Sequence, residues 1–169
     1  MLDALEPSPA LIKTATWDVV AWNRAAALVL TDYGSLPPEQ RNILRFIFCD
    51  PRVRAAQYDW ESVARFVVGV FRADVARAGA TGKVGALIDE LCRLSSEFET
   101  LWRDNDVCSY GEGVKHIRHP IAGPIAFEYS VFAVEGRPDL GMIVYNPATR
   151  ADAERIKSLI GSLSINGSP

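Results

Sequence analysis

The chain has 169 residues, 49% of them hydrophobic and 23% charged, which suffices for one globular domain spanning residues 1–169. Its net charge of −3 argues against direct binding to nucleic acid, because gripping a phosphate backbone requires clustered lysine and arginine. No run of about 18 apolar residues is present and the N-terminus lacks the pattern of a secretory signal. We therefore expect a cytoplasmic protein that does not contact a membrane.

The first elements are two short strands and a helix. The segments ALIKTATW and DVVAW are rich in β-branched and aromatic residues, and a reversal near Trp17 would make them an antiparallel hairpin. Asn23 then precedes RAAALVL, where it could cap a helix, form a turn or face a cavity. We expect capping to be its main role, in which case Asp or Ser should replace it at little cost.

Helical patterns fill the middle of the chain. The segment LPPEQRNILRFIF predicts one helix that starts at its prolines, with Ile43, Phe46 and Ile47 on one face and Arg41 and Arg45 together on another. Asp50 and Asp59 are predicted to cap the next two helices, and Gly79 should end the second of these. That longest helix carries an apolar stripe of Trp60, Val63, Ala64, Val67, Val68, Phe71 and Val75.

A turn at GATGKVG should lead to a helix at ALIDELCRL, and Ser96 with Glu99 forms a predicted capping box for EFETLW. Three cysteines, Cys49, Cys92 and Cys108, are widely spaced and form no CxxC pair. We predict that all three are buried, reduced thiols.

After Gly111 the apolar pattern changes to a period of two. In IAFEYSVFAV, alternate residues share one face of a long strand, which pairs across the turn EGRPD with LGMIVYN. Thr149 and Asp152 should open a last helix with an apolar face of Ile156, Leu159, Ile160 and Leu163. The predicted fold class is α+β: an antiparallel, PAS-like sheet covered by a helical insertion, with a C-terminal helix and a pocket between the layers.

Enzyme, cofactor and metal motifs are weak. GATGKVG lacks the Ser or Thr and the first glycine of a phosphate loop. His116 and His119 are three residues apart on a predicted strand, which puts their rings on opposite faces. No GxSxG elbow is present and no cysteine has a catalytic signature. We therefore expect no cofactor, no metal site and no catalytic residues.

Five segments follow one another in an order and spacing that resemble those of a known family: VVAWNRAA, PPEQRNILRFIF, DWESVARFVVGVFRA, LSSEFETLWRDNDV and RHPIAGPIAFEY. From about Pro9 to Leu163 the chain resembles the MmyB-like transcription regulator ligand-binding domain. The resemblance implies a PAS-like sensor that follows an N-terminal helix-turn-helix in bacterial regulators and binds a small molecule, with fatty-acid-like ligands as the leading candidates. We see no DNA-binding helices before the first strand, so direct DNA binding is not expected of this chain.

By resemblance, the positions that match the family are Trp22, Asn23, Arg41, Asn42, Arg45, Phe48, Trp60, Arg72, Phe98, Trp102, His119, Pro120 and Gly123. For three of these, an alternative is that they match because they build the core: Trp60, Phe98 and Trp102. We predict that the ligand contacts Trp22, Arg41, Asn42, Phe46, Arg72, Trp102, His119, Phe127 and Tyr129. Arg41, Asn42 and His119 would offer hydrogen bonds to an acidic head group.

The leading hypothesis is a non-enzymatic sensory domain that binds a small, mostly apolar ligand. One alternative is a small α+β enzyme that uses the same cavity, and another is a dimerisation module without a ligand. A homodimer is expected because regulators of paired half-sites need a two-fold partner.

Overall fold

One antiparallel sheet and seven helices make up the part of the chain that the computed structural model describes, residues 1–79, 82–104 and 114–165. The sheet has the strand order β2-β1-β5-β4-β3. Its strands are β1 (Ala10–Thr14), β2 (Val19–Trp22), β3 (Val114–His119), β4 (Gly123–Val134) and β5 (Arg137–Pro147). The N-terminal hairpin joins the C-terminal strands through pairing of β1 with β5, which confirms the predicted α+β class.

The helices lie mostly between β2 and β3 in the sequence, as predicted. They are α1 (Arg24–Val29), α2 (Ile43–Cys49), α3 (Pro51–Ala56), α4 (Trp60–Ala78), α5 (Gly82–Leu94), α6 (Ser96–Arg103) and, after the sheet, α7 (Arg150–Ile165). The first helix begins at the predicted cap, since the Asn23 side chain accepts a hydrogen bond from the N–H of Ala26. Asp50 and Asp59 cap α3 and α4 in the same way, and α4 ends at Gly79 with φ of 82°.

The predicted start of α2 is wrong. The prolines do not open α2, because Pro38–Gln40 form only a short 3-10 turn and the helix begins at Ile43 with Asn42 as its cap. The residues before Ile43 instead pair with the turn of the first hairpin and the start of β2. The hydrogen bonds run from Val19 N to Arg41 O and from Ile43 N to Trp17 O. Arg41 therefore does not share a helix face with Arg45.

Smaller corrections concern α5, α6 and the cysteines. Helix α5 already starts at Gly82, inside the predicted turn, and Ser95 rather than Ser96 caps α6 by accepting from Phe98 N. Cys49 is free but exposed and Cys92 is free and half-buried, so the prediction of buried thiols is wrong for Cys49. Cys108 and the side chain of Leu163 lie outside the described part of the chain.

Two separate apolar clusters stabilise the domain. The first lies against one face of the sheet and is completed by α1 and α7, with Leu11, Val29, Phe127, Tyr145 and Ile156 among its buried members. The second lies among α2, α4, α5 and α6 and contains Leu44, Val68, Phe71, Leu91 and Phe98. The half-buried Ile43 packs against both clusters. The seam between the two clusters is the place where a cavity opens.

Candidate functional site

A cavity of about 1480 Å³ lies at the seam between the sheet and the helical layer. This exceeds the roughly 300 to 1,000 Å³ that is usual for small-molecule pockets. Side chains of both apolar clusters line it, together with the segment between α1 and α2. On the helical side it is bordered by Ile43, Phe46, Ile47, Val63, Phe66 and Val67, and on the sheet side by Leu11, Ile117, Tyr129, Val131, Ile143 and Tyr145.

Strand register explains which sheet residues reach the cavity. Tyr129 on β4 pairs with Tyr145 on β5, and Leu11 on β1 pairs with Ile143, so these side chains project from the same face of the sheet. Lys115 pairs with Phe127 and belongs to that face as well. Period-two alternation thus gives the helical layer an apolar floor that also carries hydroxyl groups and two ammonium groups, those of Lys13 and Lys115.

Aromatic rings connect the floor of the cavity to its roof. The ring of Phe66 on α4 lies 5.0 Å from that of Tyr129, and the ring of Tyr33 lies 5.9 Å from that of Phe46 on α2. These separations are typical of favourable aromatic contacts. A slender apolar chain that entered between the layers would therefore meet aromatic and branched aliphatic surface on both sides.

The phenols that border the cavity stay neutral at physiological pH. Burial, with a smaller effect from nearby Tyr129, raises the pKa of Tyr145 to about 12, and burial also raises the pKa of Tyr129. The pKa of Tyr33 is raised further by burial and by Tyr145. The neutral phenol of Tyr145 can donate a hydrogen bond to an acceptor such as a carboxylate oxygen.

Three of the six described lysine and arginine side chains that border the cavity have carboxylate partners: Lys13, Arg45 and Arg52. Lys13 Nζ lies 2.6 Å from Asp74 Oδ2, where the indole Nε1 of Trp17 also donates. Arg45 forms a bidentate ion pair with Glu90, in which Nε lies 3.0 Å from Oε1 and Nη2 lies 2.7 Å from Oε2. These pairs satisfy the charges within the protein, so none of the three side chains requires a ligand.

Lys115 differs from Lys13 and Arg45 in having no carboxylate partner in the described part of the chain. Among the residues that the structure describes, no carboxylate lies within 4.0 Å of its ammonium group. The Nζ atom is placed 5.1 Å from the centre of the Tyr145 ring, and the half-buried side chain borders the cavity. Burial lowers the pKa of Lys115 to about 8, because a cation with little water around it is disfavoured. The sequence predictions missed this residue.

A sequence match identifies the family of this chain. Residues 1–159 match the MmyB-like transcription regulator ligand binding domain. The chain belongs to this family. A search of curated proteins found no match to it. The family description makes this a regulatory ligand-binding domain, and the cavity at the seam is a feature of its structure that can hold a ligand.

Three predicted ligand contacts of this MmyB-like domain border the cavity: Phe46, His119 and Tyr129. His119 has no donor left over, however. Its Nδ1 accepts from the N–H groups of Ile121 and Ala122, so the proton is on Nε2, which lies 2.9 Å from the carbonyl oxygen of Leu28. The structure thus leaves His119 no free ring N–H for the predicted hydrogen bond to an acidic head group, and the ring borders the cavity.

Two other predicted contacts lie just behind the lining. Phe127 is fully buried and its ring lies 6.0 Å from that of Tyr145. The half-buried Trp22 has its ring 5.4 Å from that of Tyr33. Both support residues that border the cavity without bordering it themselves.

Asn42 and Arg41 serve the fold and do not border the cavity. The fully buried Asn42 side chain accepts from the N–H groups of Leu44 and Arg45 and donates to Thr16 O and Asp18 Oδ1, so each of its amide atoms is engaged. Its predicted role as a ligand donor is therefore replaced by capping.

The guanidinium group of Arg41 is likewise occupied within the protein. Its Nε donates to Leu36 O at 2.9 Å, and the group lies 5.1 Å from the centre of the Trp22 ring. Arg41 does not border the cavity. The structure thus brings none of the three predicted head-group donors into a position to bind a ligand with a free N–H.

Arg72 and Trp102 belong to the helical cluster on the far side of α4. Arg72 Nη2 donates to the carbonyl oxygens of Leu101 and Trp102 at the end of α6, and its guanidinium group lies 5.2 Å from the centre of the Trp102 ring. The Trp102 ring in turn stacks on Phe98 at 5.9 Å. Neither Arg72 nor Trp102 borders the cavity, so the alternative of a core role fits Trp102.

Two general features of the described ranges 1–79, 82–104 and 114–165 bear on the predictions of function. They contain no group of three or more His, Cys, Asp or Glu side chains that could hold a metal ion. None of their helices is long and apolar enough to cross a membrane.

His116 lies on the opposite face of β3 from His119, as the spacing predicts, with its ring 6.1 Å from that of Tyr58.

Proposed function

We propose that this domain is the sensory part of a helix-turn-helix transcription regulator and that its cavity binds a long, mostly apolar molecule with an acidic head group, such as a fatty acid. The observation that carries the proposal is the cavity of about 1480 Å³ between two apolar clusters. The family description, which names transcription regulators and ligand binding, supports the regulatory role. The sheet, in which the N-terminal hairpin joins the C-terminal meander beneath a helical insertion, supports a PAS-like description.

Apolar burial dominates the expected binding free energy. Each buried methylene contributes about 0.8 kcal/mol, so a tail of about ten methylenes gives ~8 kcal/mol before the costs of association. One charge-assisted hydrogen bond to the head group adds about 1.5 to 3 kcal/mol. Affinity should therefore follow chain length, with the head group adjusting it.

The position of the cavity suits signalling. A ligand at the seam would contact both apolar clusters at once, so it would favour any arrangement of the two layers that fits it best. We propose no catalytic step, because the predicted site residues and the observed lining offer no activated nucleophile beside a base. Cys49 borders the cavity, but burial raises the pKa of its thiol, which disfavours the reactive thiolate. Homodimer formation and a cytoplasmic location stay predictions.

Calorimetric titration with hexanoate, decanoate and tetradecanoate tests the proposal. Each step up in chain length should tighten binding, and native mass spectrometry after incubation should recover the added acid unchanged. Equal or undetectable affinities across the series would contradict an apolar binding cavity. Conversion of the acid to a product would favour the enzyme alternative.

A further inference from the structure

We propose that the Nζ atom of Lys115 holds the acidic head group of the ligand, which places the head against β3 and β5 and the tail toward Phe46 and Phe66. This inference rests on the proposed function and deepens it, because it names the chemistry at one end of the cavity. The cavity contains several cations, and comparing their surroundings selects one of them.

Three of the cavity cations are already paired. Lys13 lies against Asp74, Arg45 against Glu90 and Arg52 against Asp50. A ligand carboxylate at any of these positions would have to compete with a protein carboxylate for the same hydrogens. It would also be repelled by that carboxylate.

Two further cations lie at the exposed rim. Arg65 is exposed on α4, and the exposed Arg118 has its guanidinium group 4.1 Å from the centre of the Tyr58 ring. Both are hydrated, so an ion pair with a ligand would gain little over water and would be screened by salt. His119 offers no free N–H, because its two ring nitrogens are committed to the backbone.

Lys115 combines two properties that none of the other cavity cations has together. It is half-buried at the cavity, and no ion-pair partner for it is found in the described ranges. The Tyr145 ring, 5.1 Å from Nζ, provides a cation–π contact but no counter-charge. The same cavity floor carries the neutral phenols of Tyr129 and Tyr145.

A carboxylate beside Lys115 would supply the missing charge in a partly dehydrated setting, where an ion pair is stronger than at the surface. The lowered pKa of Lys115 fits this view, since it reports that the ammonium lacks compensation in the ligand-free protein. Behind this head position, the rings of Phe66 and Tyr129 lie 5.0 Å apart and provide apolar surface for the tail.

The test compares decanoate with decanol, which has the same tail and a neutral head, for the wild type and three variants. Lys115→Met removes the charge at similar volume, Lys115→Arg keeps it, and Lys83→Met removes an exposed lysine of α5 as the matched control. The wild type, Lys83→Met and Lys115→Arg should bind decanoate about tenfold or more tighter than decanol. Lys115→Met should bind both probes equally, at the affinity that the wild type shows for decanol.

Retention of the preference for decanoate in Lys115→Met would overturn the assignment, and so would the absence of any preference in the wild type. Binding of decanol to Lys115→Met shows at the same time that the variant is folded. If neither probe bound the wild type, the proposed function would fail, and the assignment with it. That outcome is distinct from binding without a head-group preference, which would remove the assignment alone.

Discussion

The side-chain carbonyl of Asn23 accepts a hydrogen bond from the backbone N–H of Ala10 at 3.0 Å, and so ties the start of α1 to the first residue of β1. The same oxygen caps α1 by accepting from Ala26 N, while Nδ2 donates to Ser8 O at 2.9 Å and to Leu2 O at 3.3 Å. Asn23 is therefore a cap that also fixes the chain segment leading into the sheet.

Asn23→Asp should destabilise the protein, contrary to what capping alone predicts. The carboxylate keeps the acceptor but loses both donated hydrogen bonds, and it places a charge against the carbonyl oxygens of Ser8 and Leu2 in a buried site. We expect a loss of about 1 to 3 kcal/mol in the free energy of unfolding. Urea denaturation would measure it, and an Asn23→Asp protein as stable as the wild type would show that capping is the whole role of Asn23.

Lys115→Met should make the ligand-free protein more stable near neutral pH. The pKa of Lys115 is lowered from 10.5 to about 8, so below this value the folded protein carries the cost of a poorly hydrated cation. Replacing it by Met should raise the free energy of unfolding by about 1 to 2 kcal/mol at about pH 7.

The advantage of Lys115→Met should shrink as pH rises from about 8 toward 10.5, because Lys115 then loses its proton in the folded state while the unfolded chain keeps it. Tyr129 and Tyr145 also titrate at high pH, but they are present in both proteins and cancel in the difference. Denaturation curves for both proteins across this range give the measurement. A difference that does not change with pH would contradict the assigned titration.

The affinity for an acidic ligand should fall as Lys115 deprotonates. Between about pH 7 and pH 9 the protonated fraction drops, and the dissociation constant for decanoate should rise by about tenfold. Decanol serves as the internal control, since its head group does not require the ammonium. The phenols of Tyr129 and Tyr145 and the thiol of Cys49 have raised pKa values, so they remain protonated over most of this interval. Equal changes for decanoate and decanol would point to a general effect on the fold.

Arg72→Ala should lower the free energy of unfolding and leave the affinity for the ligand nearly unchanged. The side chain donates to two carbonyl oxygens at the end of α6, and we expect a loss of about 1 to 3 kcal/mol in the free energy of unfolding with ligand affinity changed by less than about twofold. Phe66→Ala on the same helix is the contrasting variant, because Phe66 borders the cavity and should weaken decanoate binding. A large loss of ligand affinity in a folded Arg72→Ala protein would show that Arg72 belongs to the ligand-binding site.

Local signals in the sequence were enough to predict the caps at Asn23, Asp50 and Asp59 and the strand pattern. Asn23, Asp50 and Asp59 each hydrogen-bond to an N–H within three residues, so short-range chemistry decides those helix starts. Asn42 could not be found in this way. Its capping position depends on pairing of the chain before α2 with the first hairpin and on hydrogen bonds to Thr16 and Asp18, which are distant in sequence.

The residues on the floor of the cavity were hard to predict because strand register, which joins segments distant in sequence, decides which side chains face the cavity. Alternation along β4 correctly placed Tyr129 on the cavity face, but assigning Lys115 to that face requires the register in which it pairs with Phe127. The predicted head-group donors were Arg41, Asn42 and His119, and the structure shows that all three are hydrogen-bonded to the protein itself. Whether a cation already has a partner depends on contacts between distant segments.

The most direct test of the central claim, that the cavity is the binding site, is a calorimetric titration of dodecanoate into the wild type, Val63→Phe and Val75→Phe. Both valines are half-buried on α4, but only Val63 borders the cavity. The added ring in Val63→Phe should displace part of the ligand tail and weaken binding by about tenfold, equivalent to roughly two buried methylenes. Val75→Phe should bind as the wild type does. Unchanged affinity in Val63→Phe would contradict the account.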